Sequence, residues 1–151
     1  MKVKILVLVD GSKWSQKAAL HAVGVAKRKR GRIVLFSVLD RREAKAFAFN
    51  MGARSGDVKD IKGFEEEIWK RMKKDVHDVL TNLLNLCREE GVNCSIKIVE
   101  GTAKDRILEE ANNGNYSLVV LGAYGKSGKT RIGSLLEELA GLIKPPMLIV
   151  R

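Results

Sequence analysis

The chain has 151 residues, 45% hydrophobic and 30% charged, which suits one domain with one core and excludes disorder as its main state. Lysine and arginine outnumber aspartate and glutamate by 28 to 18, giving a formal net charge of +10 that favours anionic partners. Two cysteines are too few for a small disulfide-stapled secreted fold, and no apolar run reaches the roughly 20 residues that cross a bilayer.

Met1-Lys2-Val3-Lys4 runs straight into a short apolar stretch with no signal-peptide pattern, so the expectation is a reduced, cytoplasmic protein without a membrane. The positive charge is concentrated near the N-terminus: residues 1–45 hold 12 basic and 3 acidic side chains. Much of it sits in Lys27-Arg28-Lys29-Arg30-Gly31-Arg32, read as the basic end of a helix, where cations complement the carbonyl end of the dipole. That reading is preferred to a nucleic-acid patch, since aromatic residues for base stacking are only 5% of the chain.

Taken in chain order, Ile5-Leu6-Val7-Leu8-Val9 is an apolar run without alternation, the pattern of a strand covered on both faces. A helix follows from about Ser15 to Lys29, with Ala18, Ala19, Ala22, Val23 and Ala26 on one face and Gly31 as its stop. Ile33 to Val38 reads as the second buried strand. Residues 41–62, containing Ala46-Phe47-Ala48-Phe49-Asn50-Met51-Gly52, are expected to form a long irregular connection or lid with a covered apolar centre.

A second helix is predicted from about Phe64 to Glu90, with Phe64, Ile68, Met72, Val76, Val79, Leu80, Leu83 and Leu86 or Cys87 as its stripe. Ser95 to Val99 alternates and suits a strand nearer an edge. Thr102 with Asp105, and Ser134 with Glu137, are spaced as capping boxes that open two further helices. Leu118 to Leu121 and Met147 to Val150 complete the strands, the last preceded by Pro145-Pro146, which enforces an extended approach. Strands alternating with helices call for an α/β fold, a five-stranded parallel, doubly wound sheet with helices on both faces, occupying 1–151 as one domain.

Such sheets bind ligands beyond the carboxyl ends of their strands. The stretch Gly122-Ala123-Tyr124-Gly125-Lys126-Ser127-Gly128-Lys129-Thr130-Arg131-Ile132-Gly133-Ser134 carries four glycines in thirteen positions, three cations and a cap residue at its end. Backbone amides, positive charge and a helix N-terminus suit a polyphosphate. A flexible connection ending in a simple cap is the plain alternative. The near match to GxxxxGK[ST] over residues 123–130 lacks the first glycine, and no later apolar run ends in an acid to hold magnesium.

His21 and His77 stand apart with no metal-ligand spacing, and no nucleophile, base and orienting group can be assembled, so neither catalytic nor metal-binding residues are assigned. Trp14 is expected to pack beneath the 41–62 segment. Cys87 and Cys94 lack a CxxC relation and are read as reduced and structural.

The same residues resemble the universal stress protein family over essentially the whole chain. The resemblance rests on Ile5-Leu6-Val7-Leu8-Val9-Asp10-Gly11-Ser12, then Ser15 and Ala18-Ala19, then Val99-Glu100-Gly101. It continues through Gly122, Gly125 and Gly133-Ser134 in a G-x2-G-x9-G-[S/T]-like order, and closes with Pro146-Met147-Leu148-Ile149-Val150. Seven residues separate Gly125 from Gly133, two fewer than in the family's ATP-binding pattern.

The resemblance implies an adenine nucleotide alpha hydrolase-like fold with strand order 3-2-1-4-5. It also implies ATP, with Mg2+, or a related nucleotide held by Asp10, Val38, Gly122, Gly125, Gly133 and Ser134, to which Lys126 adds positive charge. Its further implications are a regulatory role in stress response and a homodimer formed through Met147–Val150, whose exposed apolar edge favours pairing on physical grounds as well. Two alternatives stand beside it: a family member that binds no nucleotide and acts through its dimer and partners, and a slow nucleotide phosphohydrolase.

Overall fold

A computed structural model describes residues 2–56, 60–124 and 137–151. Its five strands are β1 (Lys4–Leu8), β2 (Arg32–Leu39), β3 (Asn93–Glu100), β4 (Leu118–Gly122) and β5 (Met147–Val150). All neighbours pair in parallel, in the order β3-β2-β1-β4-β5. The helices are α1 (Lys13–Lys29), α2 (Arg41–Ser55), α3 (Ile61–Glu89), α4 (Ala103–Asn113) and the short α5 (Glu137–Leu139).

Successive strand residues point to opposite faces, and both sets are apolar. Ile5, Val7, Ile33 and Leu35 pack with the α1 stripe Ala18, Ala19, Ala22, Val23 and Ala26, and with Leu80, Leu83 and Cys87 of α3. Leu6, Leu8, Val34 and Phe36 pack on the other face with Ile107 and Ala111 of α4, Tyr116 and Leu139. The central register, Ile5 beside Ile33 and Leu118, aligns these layers. Because α1 is faced with alanines, its backbone can approach the sheet closely.

The α1 N-terminus is capped by Ser12, whose Oγ accepts from the Ser15 amide at 3.2 Å. At its other end Arg30 adopts a left-handed conformation with φ 51°. Gly31 follows because a Cβ there would lie 2.7 Å from the Val3 carbonyl oxygen.

The expected irregular connection over 41–62 is corrected by α2, which occupies Arg41–Ser55. Asp40 caps it, accepting from the Arg42 amide at 2.9 Å, and hydrogen bonding from the Arg42 guanidinium holds the Asp40 carboxyl below its usual range. Its buried face is small: Ala44, Ala48 and Gly52 recur at helical spacing. Ala44 clusters with Leu39 and with Trp69 of α3. Arg41 reaches Glu65 at 3.0 Å and also Glu66, with its guanidinium 5.2 Å from the centre of the Trp69 ring.

Phe47 and Phe49 remain 60% and 61% exposed, so the phenylalanines of the expected apolar centre are not covered within the chain. The large residues at 47, 49 and 51 alternate like a strand, while the true helical stripe consists of alanine and glycine and carries little hydrophobic signal.

At 29 residues, α3 is roughly 43 Å long. Its first half packs with α2 and its second half with the sheet, where Cys87 rather than Leu86 is the fully buried member of the stripe. Cys87 and Cys94 are free thiols whose mutual interaction lowers the pKa of Cys87 and raises that of Cys94. At the head of α4 the Thr102 hydroxyl donates to the Asp105 carboxylate at 2.9 Å and caps no backbone amide, so the reciprocal capping box expected here is replaced by a side-chain pair. The second expected capping pair includes Ser134, which lies outside the described residues. Among the described residues, no helix is long and apolar enough to cross a membrane.

One polar cluster ties α4 to the sheet. Glu110 accepts from Lys97 Nζ at 2.6 Å and from the Tyr116 hydroxyl at 2.6 Å. Burial pushes the Glu110 carboxyl up, and these two hydrogen bonds outweigh it, leaving its pKa below the usual carboxylate range. A depressed folded pKa stabilises the fold above the unfolded value of about 4.3 and ceases to do so as pH falls through the folded value. Glu110→Gln should therefore lower stability by about 1 kcal/mol near neutral pH. Urea unfolding of both proteins from neutral to acid pH should show the two stabilities converging at the acid end.

Candidate functional site

The chain reverses its winding between β1 and β4. After β1 it enters α1 on one face, while Leu139 of α5, reached after β4, belongs to the cluster on the other face. Connections that part to opposite faces leave a crevice at the carboxyl ends of the strands.

A cavity of about 150 Å³ lies there, lined among others by Val9, Asp10, Ser37, Val38, Gly122 and Tyr124. Three of the sequence-predicted site residues, Asp10, Val38 and Gly122, thus share one hollow although they come from three different strand ends. Gly125, Lys126, Gly133 and Ser134 lie outside the described residues.

The turn after β1 is tightly organised. Gly11 has φ 85°, a conformation that favours glycine. Asp10 Oδ1 accepts from the Ser12 amide at 2.9 Å, a local turn bond that occupies one of its two carboxylate oxygens. The Ser15 hydroxyl donates to the Ser12 carbonyl at 2.9 Å. Behind this turn, Ser37 is buried and its hydroxyl donates to the Val9 carbonyl at 2.6 Å, locking the end of β2 to the end of β1.

Gly122 has a packing reason of its own. A Cβ there would stand 2.6 Å from the backbone carbonyl carbon of Trp14, so β4 and the start of α1 can meet this closely only without a side chain. Trp14 does not need the 41–62 segment for a partner: its ring stacks in a tilted arrangement on Tyr124, with centroids 4.7 Å apart. Lys13 and Lys17 place their ammonium groups 4.8 and 4.7 Å from the centre of the Trp14 ring. Tyr124 therefore lines the crevice, with Trp14 of α1 packed against that tyrosine and the two lysines against the Trp14 ring.

Several lining residues were not singled out in the sequence as site residues. Glu43 comes from α2, Met72 and Val76 from α3, and Ala103 and Ile107 from α4. Met72 and Val76 stand out in the sequence as part of the α3 stripe, but periodicity does not reveal that the stripe runs on past the sheet and over the crevice. Ser37 carries a weak signal, as the one hydroxyl inside an otherwise apolar strand. Among the described residues, no group of three or more His, Cys, Asp or Glu gathers in a way that could hold a metal ion.

A family model described as the universal stress protein family matches residues 1–151. The chain belongs to this family. Universal stress protein YxiE of Bacillus subtilis is 32% identical over 150 residues, covering 98% of each chain.

The solved structure of universal stress protein MJ0577 from Methanocaldococcus jannaschii superposes with a TM-score of 0.79 at 22% identity, covering 99% of this chain and 96% of that one. A family member from Arabidopsis thaliana, solved with AMP bound, gives a TM-score of 0.65 at 18% identity, covering 98% of this chain and 90% of that one. Two other universal stress protein structures with this fold were solved with dAMP and with cAMP, at TM-scores of 0.62 and 0.66 and identities of 14% and 18%. The strand order 3-2-1-4-5 implied by the resemblance, and the doubly wound parallel sheet read from the sequence, are those observed.

The close approach at Gly122 makes a specific prediction. Gly122→Ala should force β4 and α1 apart and lower stability by about 1–3 kcal/mol, read by urea or thermal unfolding. Unchanged stability would show that the two backbones are less tightly apposed.

Proposed function

We propose that this universal stress protein binds an adenine nucleotide, ATP with Mg2+ in the fullest form, and acts as a regulatory module in stress response. The observation that carries the proposal is the hollow at the reversal of the sheet, where Asp10, Val38 and Gly122 converge. The complexes of fold relatives with AMP, dAMP and cAMP support the same ligand class.

At about 150 Å³ the hollow is smaller than the roughly 300 Å³ at which pockets for drug-sized ligands begin. It suits the nucleoside end of the ligand. In this reading the second carboxylate oxygen of Asp10 accepts from ribose hydroxyls and the backbone at Val38 meets the base. The phosphates extend toward Gly125, Lys126, Gly133 and Ser134, where the glycine-rich sequence supplies amides and positive charge.

Mg2+ would screen the phosphate charge when bound. No residue is assigned to activate water, so hydrolysis is not the proposed role, and phosphate release over hours should remain at background.

Mass spectrometry of small molecules released by acid denaturation should find an adenine nucleotide, or the purified protein should take up ATP with Mg2+. Asp10→Ala should weaken that binding about tenfold or more, a loss of about 1.4 kcal/mol. An empty protein that binds neither ATP nor AMP would overturn the reading.

The β5 edge favours a second element of the function, a homodimer through Met147–Val150. β5 ends the sheet, and Leu148 and Ile149 are 37% and 36% exposed on it. Apolar edges invite pairing. Leu148→Lys should convert the dimer to a monomer in light scattering coupled to size exclusion, while a wild-type monomer at micromolar concentration would sink this proposal. Two free cysteines support a reducing, cytoplasmic setting.

A further inference from the structure

A much larger concavity lies at the opposite pole of the sheet, where β1, β2 and β3 begin. It measures about 800 Å³ and is lined by Lys2, Lys4, Lys27, Arg30 and Arg32, with Glu90 as its one carboxylate. Gly31, Gly91, Gly114, Asn93 and Asn115 line it as well.

The basic run noted in the sequence is therefore not simply the solvated end of α1. Lys27, Arg28 and Lys29 do offset the dipole of that helix, but Lys2, Lys4 and Arg32 belong to the β1 and β2 segments and have no such duty.

The arrangement is built rather than fortuitous. Lys4 is fixed by donating to the Gly114 carbonyl at 2.8 Å, with its ammonium 4.5 Å from the centre of the Tyr116 ring. Glu90 is engaged by Lys27 at 2.8 Å. Among the described residues, no carboxylate pairs with Lys2, Arg30 or Arg32.

Backbone strain converges here as well. The two non-glycine residues with positive φ among the described residues are Arg30, at 51°, and Asn115, at 56°, and both line this concavity. A helix stop such as Arg30 ordinarily favours glycine, so an arginine held there is a side chain retained against its backbone preference.

We propose that this basal concavity is a second anion site, distinct from the nucleotide crevice, that takes a compact chain of phosphates. Two arginines flanking a glycine offer planar forks that match phosphate oxygens in pairs, and the lysines and asparagines complete a donor-rich wall. A small ligand fits better than a nucleic acid. The site is concave and no aromatic side chain lines it among the described residues, while Tyr116, the ring under Lys4, is buried with its hydroxyl donated to Glu110, so no ring is presented on which a base can stack.

The test titrates the full-length protein with tripolyphosphate, orthophosphate and ATP, following amide shifts by NMR. Tripolyphosphate should shift residues 2–4, 27–32, 91–93 and 114–115, bind at least about tenfold more tightly than orthophosphate, and weaken steeply as salt is raised. Arg30→Gln/Arg32→Gln should weaken it about tenfold or more, whereas Asp10→Ala should leave it unchanged. Lys2→Gln/Arg32→Gln spares the left-handed turn and serves if the first variant unfolds.

If ATP gives the same basal shifts at similar affinity, the phosphate chain can come from a nucleotide; if tripolyphosphate alone does, it comes from free oligophosphate. Absence of basal shifts, insensitivity to these substitutions, or preferential binding of a single-stranded oligonucleotide at this pole would overturn the proposal. Loss of ATP binding in Asp10→Ala with the basal shifts intact would separate failure at one pole from failure at the other.

Discussion

A parallel sheet with apolar side chains on both faces has to be covered twice, and this requirement organises the whole molecule. The alternation of Ile5 and Val7 toward α1 and α3 with Leu6 and Leu8 toward α4 means that no single layer of helices could bury β1. The chain meets the requirement by reversing between β1 and β4, and the reversal opens the crevice. The crevice is thus a consequence of how the core is closed. Gly122 shows the link at one residue: the missing side chain that lets α1 close the core against β4 also bounds the hollow.

The second device is the pairing of α2 with the overlong α3. Their interface rests on small residues, with Ala44 and Ala48 fully buried, and on Trp69, around which Arg41, Glu65 and Glu66 gather. This pair brings Glu43, Met72 and Val76 to the crevice rim, giving it a wall that the sheet alone does not supply. The same geometry leaves Phe47 and Phe49 facing outward.

The two poles of the sheet differ in charge and shape. At the carboxyl ends a small, partly apolar hollow carries the Asp10 carboxylate on a tight turn and Glu43 from α2, with aromatic rings and lysines beside it. At the amino ends a wide basic concavity is framed by helix C-termini and strained backbone. Net positive charge is therefore partitioned in space. The N-terminal bias in the sequence becomes a localised field because the starts of β1 and β2 lie next to the end of α1.

Strand identity, the α1 and α3 stripes, the edge position of β3 and the doubly wound class are determined by the sequence, because each rests on a period of apolar residues over a long window. Asp10 and Gly122 are legible as candidates for the same reason, since strand ends locate them, whereas Val38 is implied by the family resemblance. What only the tertiary structure decided lies where the signal is made of small or polar residues.

The α2 helix, built on Ala44, Ala48 and Gly52, is hidden by the louder alternation of Phe47, Phe49 and Met51. The meeting of Lys2, Lys4, Arg30, Arg32 and Asn115 at one pole depends on the register of separate strands. Hydrophobic periodicity reports which face a residue turns to the core, and it contains no information about which distant residues share a surface.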